Sequence, residues 1–331
     1  MKNMKKQVKI IATGGTIAGS GKSSTQTTGY EPGSIKIDEI LNEIPAINEI
    51  AEISFAQFFN IDSVNMTNKR MLDLARFVQE IIDDNSIHAV IITHGTDTLE
   101  EVAYFLHLIL NTHKPVIMVG AIRPATSIGS DGLINLYHSL NVAIHPDSAE
   151  KGVLIVMNSR ILSAKFVTKV NTTMTDAFTA LEAGAIGNIV GDNIYYFYNR
   201  PNFKHTYETI FNPFDIVDLP KVNIITAHQG DDTILLSSIN HKCEGIVLST
   251  AGGYTLSDNM LSGLEKLNSS SFPIVRTSRL GHGIVAKTYL EDNYNLIASE
   301  TLNANKSRIL LMLLLSHKID LDDFQFYFNN Y

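Results

Sequence analysis

The sequence predicts an α/β protein of two domains: a larger N-terminal domain on a mostly parallel sheet with flanking helices, and a smaller C-terminal α/β domain. Three observations carry this. Short continuous apolar runs, Ile10-Ile11-Ala12 and Ala89-Val90-Ile91-Ile92, stop abruptly at Thr-Gly-Gly-Thr and Thr-His-Gly-Thr. Buried parallel strands read as such runs, and ligands of open α/β sheets sit beyond their carboxyl ends. Between the runs, apolar residues recur at helical spacing, and strand-helix alternation with right-handed crossovers builds a parallel sheet. The 331 residues suit about two domains.

In order, residues 8–12 read as the first strand, ended by Gly14-Gly15, which let the backbone turn tightly and approach a ligand. Residues 20–34 are rich in Gly, Ser and Thr, with Tyr30 their one large side chain. They suit a mobile lid beside Thr16, although an ordinary surface loop has the same composition. Residues 38–44 read as a short helix and 53–59 as a strand. A helix starts at Thr67, with Met71, Leu74, Ala75, Val78, Ile81 and Ile82 at helical spacing. After the strand at 89–92, a helix presents Leu99, Val102, Ala103, Leu106, Ile109 and Leu110, with Asp97 or Thr98 as its natural N-cap. Val116–Val119 and Val153–Met157 read as strands around a helix at 133–143. From 193 to 220 the pattern dissolves into aromatics, prolines and polar residues. The expected division is therefore 1–195 as catalytic domain, 196–220 as linker and 221–331 as C-terminal domain. In the last, strands are expected at 222–227, 245–249 and 274–277, with a closing helix at 304–317.

Composition narrows the function. Hydrophobic residues are 44% and charged residues 18%, ordinary for a folded chain with ample core. The net charge of −8 includes no block of like charges, which argues against nucleic acid or an anionic membrane as partner. Cys243 is the one cysteine, so no internal disulfide forms, and burial as packing is its expected state. Lys2, Lys5 and Lys6 precede a five-residue apolar run, shorter than the roughly 7–15 residues of a secretory signal. A cytoplasmic, membrane-free protein is expected.

Gly15-Thr16-Ile17-Ala18-Gly19-Ser20-Gly21-Lys22-Ser23 invites comparison with a phosphate loop, but five residues separate Gly15 from Gly21 where that loop has four. The polar, Pro32-containing stretch that follows does not open the helix a phosphate needs. What stands out is that two strand ends each deliver Gly-Thr: Gly15-Thr16 and Gly95-Thr96-Asp97. A threonine hydroxyl at a cleft is a nucleophile when a neighbour takes its proton. Taken singly, these threonines and Asp97 read as helix caps. Together they point to a threonine-based amidohydrolase.

Thr13-Gly14-Gly15-Thr16-Ile17-Ala18-Gly19 and Thr93-His94-Gly95-Thr96-Asp97-Thr98-Leu99-Glu100-Glu101 resemble the paired signatures of the bacterial L-asparaginase/glutaminase family, at that family's spacing. The likeness continues through residues 120–127, Asp131-Gly132, residues 167–172 and Ala298-Ser299-Glu300-Thr301-Leu302-Asn303, and so covers nearly the whole chain. Residues 100–106 resemble the type II, usually exported, branch, from whose habit the expected cytoplasmic location departs. The resemblance implies that Thr16 is the nucleophile and Tyr30 the lid tyrosine assisting proton transfer. It implies that Thr96 is a second catalytic threonine working with Lys169 and Asp97. Ser63 then binds the substrate α-carboxylate, Asp97 the α-amino group, and the Ala121 carbonyl meets the side-chain amide; Asp62, beside Ser63, joins the substrate-binding set. It also implies a homotetramer, a dimer of dimers with sites shared between subunits.

The chemistry fits: a buried lysine sheds its proton more readily than a solvated one and can act as base toward Thr96, or through water toward Thr16. Backbone N–H groups of the glycine turns are candidate oxyanion donors. Departures lie in the ammonium pocket. Val64 replaces a frequent glutamine, and Gly252, Gly253 and Thr255 replace an asparagine-glycine run. Thr288 falls where a glutamate usually crosses the dimer, with Glu291 close by.

The expected activity is cofactor-free hydrolysis of L-asparagine to L-aspartate and ammonia through an acyl-enzyme on Thr16. The alternatives are a dual glutaminase-asparaginase and a non-catalytic amino-acid-binding protein of the same fold, which decay of the catalytic set would have favoured. No His, Cys or acidic cluster has metal-ligand spacing, so no metal is expected, and His94 is expected to pack or support rather than ligate.

Overall fold

A computed structural model describes residues 5–44, 47–199, 201–232, 234–239, 242–267 and 272–331; Lys2 lies outside them. The chain divides at Pro213/Phe214 into two compact units.

The first unit is built on eight strands: β1 Gln7–Gly14, β2 Glu52–Ile61, β3 Ile87–Thr93, β4 Val116–Val119, β5 Val153–Met157 and β6 Arg160–Ser163, then, after a separate ribbon of β7 Thr168–Lys169 and β8 Phe178–Thr179, β9 Gly187–Val190 and β10 Asn193–Tyr196. Their order is β10-β9-β6-β5-β4-β3-β1-β2. β2, β1, β3, β4 and β5 pair in parallel, while β5, β6, β9 and β10 pair antiparallel. Alternate residues Val8, Ile10, Ala89, Ile91, Ile117, Val119, Leu154 and Val156 pack against Leu136 and Leu140 of helix Gly132–Ile144. Helix Asn68–Ile82 lies on β3 and helix Leu99–Ile109 on β5. Thr67 caps the former, its hydroxyl accepting the Arg70 N–H at 3.2 Å.

The parallel half follows the expected elements. The antiparallel half had no sequence counterpart. β5 turns into β6 through Asn158 and Ser159, both at positive φ (49° and 58°), as a two-residue primed hairpin turn requires. Asn-Ser lacks the glycine that makes such turns legible in a sequence. β10 forms where the pattern dissolves. Part of the stretch expected as linker packs on this unit: His205 is fully buried, its ring 5.3 Å from that of His107, and the Thr209 hydroxyl donates to the Leu108 carbonyl at 2.5 Å.

The second unit has four parallel strands in sequence order: β11 Val222–Thr226, β12 Gly245–Thr250, β13 Ile274–Ser278 and β14 Leu296–Ala298. Its core gathers Ile246, Leu248, Ile274, Met260 and Leu264, with Cys243 buried as a free thiol. Helix Ala304–Ser316 is capped by Asn303, which accepts the Lys306 N–H at 3.0 Å. No helix among the described residues is long and apolar enough to cross a membrane.

Arg276 is fully buried in β13. Its Nε donates to Glu291 at 2.5 Å, and its other nitrogens donate to the carbonyls of Gly253 and Ala286. Glu291 also accepts the Thr288 N–H at 2.6 Å, closing a capping box on helix Tyr289–Tyr294. Glu291, expected as one candidate for reaching a neighbouring subunit's substrate, is thus occupied within its own unit. Burial alone raises a carboxyl pKa, but hydrogen bonds from Arg276 and Thr288 and the guanidinium charge hold Glu291 below its usual 4.5.

A depressed acid contributes stability above its unfolded pKa and loses it as pH falls through the folded value, so this pair should weaken as pH falls below 4.5. Glu291→Ala strands a buried guanidinium and should cost about 3–5 kcal/mol near neutrality. Urea unfolding of this variant and the native protein at pH 7 measures it; a difference under about 1 kcal/mol would contradict the assignment.

Candidate active site

The site begins where three parallel strands end. Gly14 and Gly15 follow the apolar core of β1 with φ of +100° and +82°. A Cβ at Gly15 would lie 2.3 Å from Gly95 Cα, and one at Gly95 would lie 2.7 Å from Ser63 Cβ and Oγ. The turns after β1, β2 and β3 therefore press backbone against backbone. Two hydrogen bonds fix them: Gly15 N–H to Ile61 O at 3.0 Å and the Thr13 hydroxyl to Thr93 O at 2.8 Å. Because Gly15 N–H is spent on Ile61, it is not available as the oxyanion donor expected of it.

What emerges from the three turns lines one cavity of about 240 Å³: Thr16, Asp62, Ser63, Thr96 and Asp97, joined by Tyr30 and Lys169. Ala121 alone of the expected set is absent from that lining. It is fully buried, and its neighbour Ile122 reaches the cavity instead. Val64 is 62% exposed and also off the lining.

Thr16 opens a single 3₁₀ turn, Thr16–Ala18, rather than the long helix of a phosphate loop. Its hydroxyl lies 2.6 Å from that of Tyr30. Burial raises the Tyr30 pKa, partly offset by the Thr16 hydrogen bond and reinforced by the negative charges of Asp97, Asp62 and Asp131, so the phenol keeps its proton. The loop bearing Tyr30 is closed by paired backbone hydrogen bonds between Ser20 and Glu31, both 3.0 Å. It is tied to residues 125–128 through Gly21 N–H to the Thr126 hydroxyl (2.8 Å) and Ile128 N–H to Ser24 O (2.7 Å).

Lys169 comes from β7. Its ammonium donates to the Thr96 hydroxyl at 2.9 Å and to the Asp97 carboxylate at 2.5 Å. The lysine thus faces both Thr96 and Asp97, the two residues the family resemblance set beside it. Its backbone N–H donates to the buried Glu100 at 2.7 Å. Neither Asp97 nor Thr98 caps the following helix through its side chain. Asp97 goes to Lys169, and the Thr98 hydroxyl donates to Ser63 O at 3.0 Å. The Asp97 N–H donates to Ser63 Oγ at 3.3 Å. Asp62 accepts the Val64 N–H at 3.4 Å.

Two supports escaped the sequence reading. Asp131 accepts the N–H groups of Ile122 and Arg123 at 3.0 and 2.9 Å, and the Asn135 amide donates both to Asp131 and to Gly120 O. Together they fix the loop that carries Ala121 and Ile122. Asp131 entered the sequence reading only as part of the family likeness, and only the folded loop shows what it holds. His94 is 1% exposed and bonded through Nδ1 to Gly95 O at 2.9 Å. Burial lowers its pKa to about 4 despite that bond. Among the described residues no group of three or more His, Cys, Asp or Glu side chains is arranged to hold a metal.

Comparison with known proteins covers both units. Residues 7–202 match the family model "Asparaginase, N-terminal" and residues 221–328 "Glutaminase/Asparaginase C-terminal domain". The chain is 40% identical to L-asparaginase 2 of Bacillus subtilis over 98% of its own length and 86% of the relative's. It is 35% identical to a glutaminase-asparaginase of Acinetobacter glutaminasificans over 99% of the chain and 100% of the relative. The crystal structure of a probable cytoplasmic L-asparaginase from Campylobacter jejuni superposes with a TM-score of 0.95 at 37% identity, covering 99% of this chain and 100% of that one.

The buried His94 should stay neutral from pH 8 down to about 5. Ring NMR signals of histidine-labelled protein measure this; a His94 midpoint near 6.5 would contradict the burial argument.

Proposed function

The chain belongs to the asparaginase family, and we propose that it hydrolyses L-asparagine to L-aspartate and ammonia through a covalent intermediate on Thr16. The convergence on one cavity of a hydroxyl pair, Thr16 with Tyr30, and a second hydroxyl, Thr96, bound by Lys169 that also meets Asp97 carries this reading. The same convergence argues against a non-catalytic binding protein, which needs the amino-acid contacts but not the paired threonines.

A free amino acid presents one cation and one anion. Asp97 and Asp62 receive the α-ammonium, and Ser63 receives the α-carboxylate. Thr16 Oγ attacks the side-chain amide carbon. Tyr30, held protonated by its surroundings, relays: it takes the Thr16 proton while passing its own to the departing nitrogen, so ammonia leaves and Tyr30 is unchanged. Thr96 is the poorer nucleophile, because an ammonium donates to its oxygen. Its own proton remains free to orient the water that attacks the ester. Hydrolysis returns a proton to Thr16 and releases aspartate. No cofactor enters any step.

Relatives named glutaminase-asparaginase, at 33–35% identity, favour glutamine as a second substrate. Likeness to a probable cytoplasmic enzyme supports a cytoplasmic location. A homotetramer, with the second unit of one subunit completing the site of another, is the assembly we infer. Closed symmetric assemblies are the common solution, and the second unit carries none of these hydroxyls.

Thr16→Ala and Thr96→Val should each lower kcat by at least about 10³-fold with the fold intact, as members of a catalytic unit do. Tyr30→Phe should lower it by about 10²–10⁴-fold. Ammonia release from asparagine and glutamine, measured side by side, tests both site and substrate; near-native activity of Thr16→Ala would overturn the assignment. Solution mass tests the assembly, and a fully active monomer would end the shared-site reading.

A further inference from the structure

We propose that Glu100 is a positioning residue for this reaction: its carboxylate holds the backbone of Lys169 where the ammonium meets both Thr96 and Asp97. The inference rests on the reading that Thr96 and Lys169 take part in catalysis.

Of the three groups that meet at Thr96, Lys169 is the one that does not follow a strand of the main sheet. It sits in a two-residue strand, β7, paired only with β8. Thr96 and Asp97, by contrast, leave the fully packed strand β3 and enter the buried helix Leu99–Ile109. A long lysine stem on a loosely anchored Cα spreads its ammonium over many positions, and ordering such a side chain costs conformational entropy. Displacement of a catalytic group by about 1 Å costs on the order of 10²-fold in rate.

Glu100 answers this. It lies in the first turn of the helix, where the helix dipole favours an acid, and is only 5% exposed. Its Oε2 accepts the Lys169 N–H at 2.7 Å, a charge-assisted hydrogen bond. The segment Thr96 to Glu100 therefore grips Lys169 at two ends: Glu100 holds the backbone, and Thr96 and Asp97 hold the ammonium. One rigid segment sets the distance between the lysine and the hydroxyl it serves.

Four variants test this: Glu100→Leu, which keeps bulk without an acceptor; Glu100→Asp, which keeps the charge but falls short; Glu100→Gln, which keeps reach and an acceptor oxygen; and Lys169→Met. Ammonia release is measured below each variant's unfolding midpoint. The expected result is a fall in kcat of about 10–100-fold for Leu and Asp, with Gln restoring most of that loss. Glu100→Leu placed in the Lys169→Met background should add no further loss, because the group it positions is gone. A purely structural role predicts a second loss there, and that result would overturn the proposal. So would kcat within about twofold of native for Leu and Asp, or a Gln variant as impaired as Leu. Lys169→Met alone separates the two ideas: if it keeps a near-native rate, the catalytic reading itself fails, whatever Glu100 does.

Discussion

The site depends on one steric constraint, the contact of Gly15 with Gly95. A notional Gly15 Cβ would lie 2.3 Å from Gly95 Cα, and one on Gly95 would lie 2.7 Å from Ser63, so neither position has room for a side chain. Parallel pairing of β1 with both β2 and β3 brings three strand ends to one edge, and the glycines let the turns close without a gap. Thr16, Ser63 and Thr96 each follow one of these turns by a residue or two. Their proximity is therefore a consequence of backbone packing, and the side chains themselves contribute little to it.

Charge then decides what each group does. Two carboxylates, Asp62 and Asp97, line the cavity with a single lysine, which favours a ligand bearing its own cation. Burial first, and then the charges of these carboxylates and Asp131, keep the Tyr30 phenol protonated, the state the proposed relay needs. His94, next to Gly95, stays neutral and adds no charge. The Lys169 ammonium donates to both Asp97 and Thr96, so its charge is met within the site.

Much of this was legible in the sequence where local pattern decides structure. The apolar runs of β1, β3, β4 and β5 and the helix spacing from Met71 to Ile82 reflect burial on both faces of a parallel sheet, which leaves little room for another reading. Gly-Thr at two strand ends marked Thr16 and Thr96. The resemblance to a known family supplied Tyr30, Ser63 and Lys169, because nothing local ties a lysine on a two-residue strand to a threonine 73 residues earlier. The antiparallel strands β6, β9 and β10 went unread: each is four residues long, β6 follows an Asn-Ser turn that lacks glycine, and the Gly191-Asp192 turn between β9 and β10 falls beside the stretch where the apolar pattern dissolves. Thr98 takes the N-cap position expected of Asp97 or Thr98, but without a side-chain cap, because Ser63 and Lys169 are the partners of these two side chains. Glu291 similarly looked free in the sequence, and only the folded unit reveals Arg276 beside it.

The central claim is that Thr16, and not Thr96, carries the acyl group. Rapid acid quenching of the enzyme during turnover of L-asparagine, followed by proteolysis and mass spectrometry, tests it directly. The account predicts an aspartyl ester on the peptide containing Thr16. An ester on the peptide containing Thr96 would contradict it.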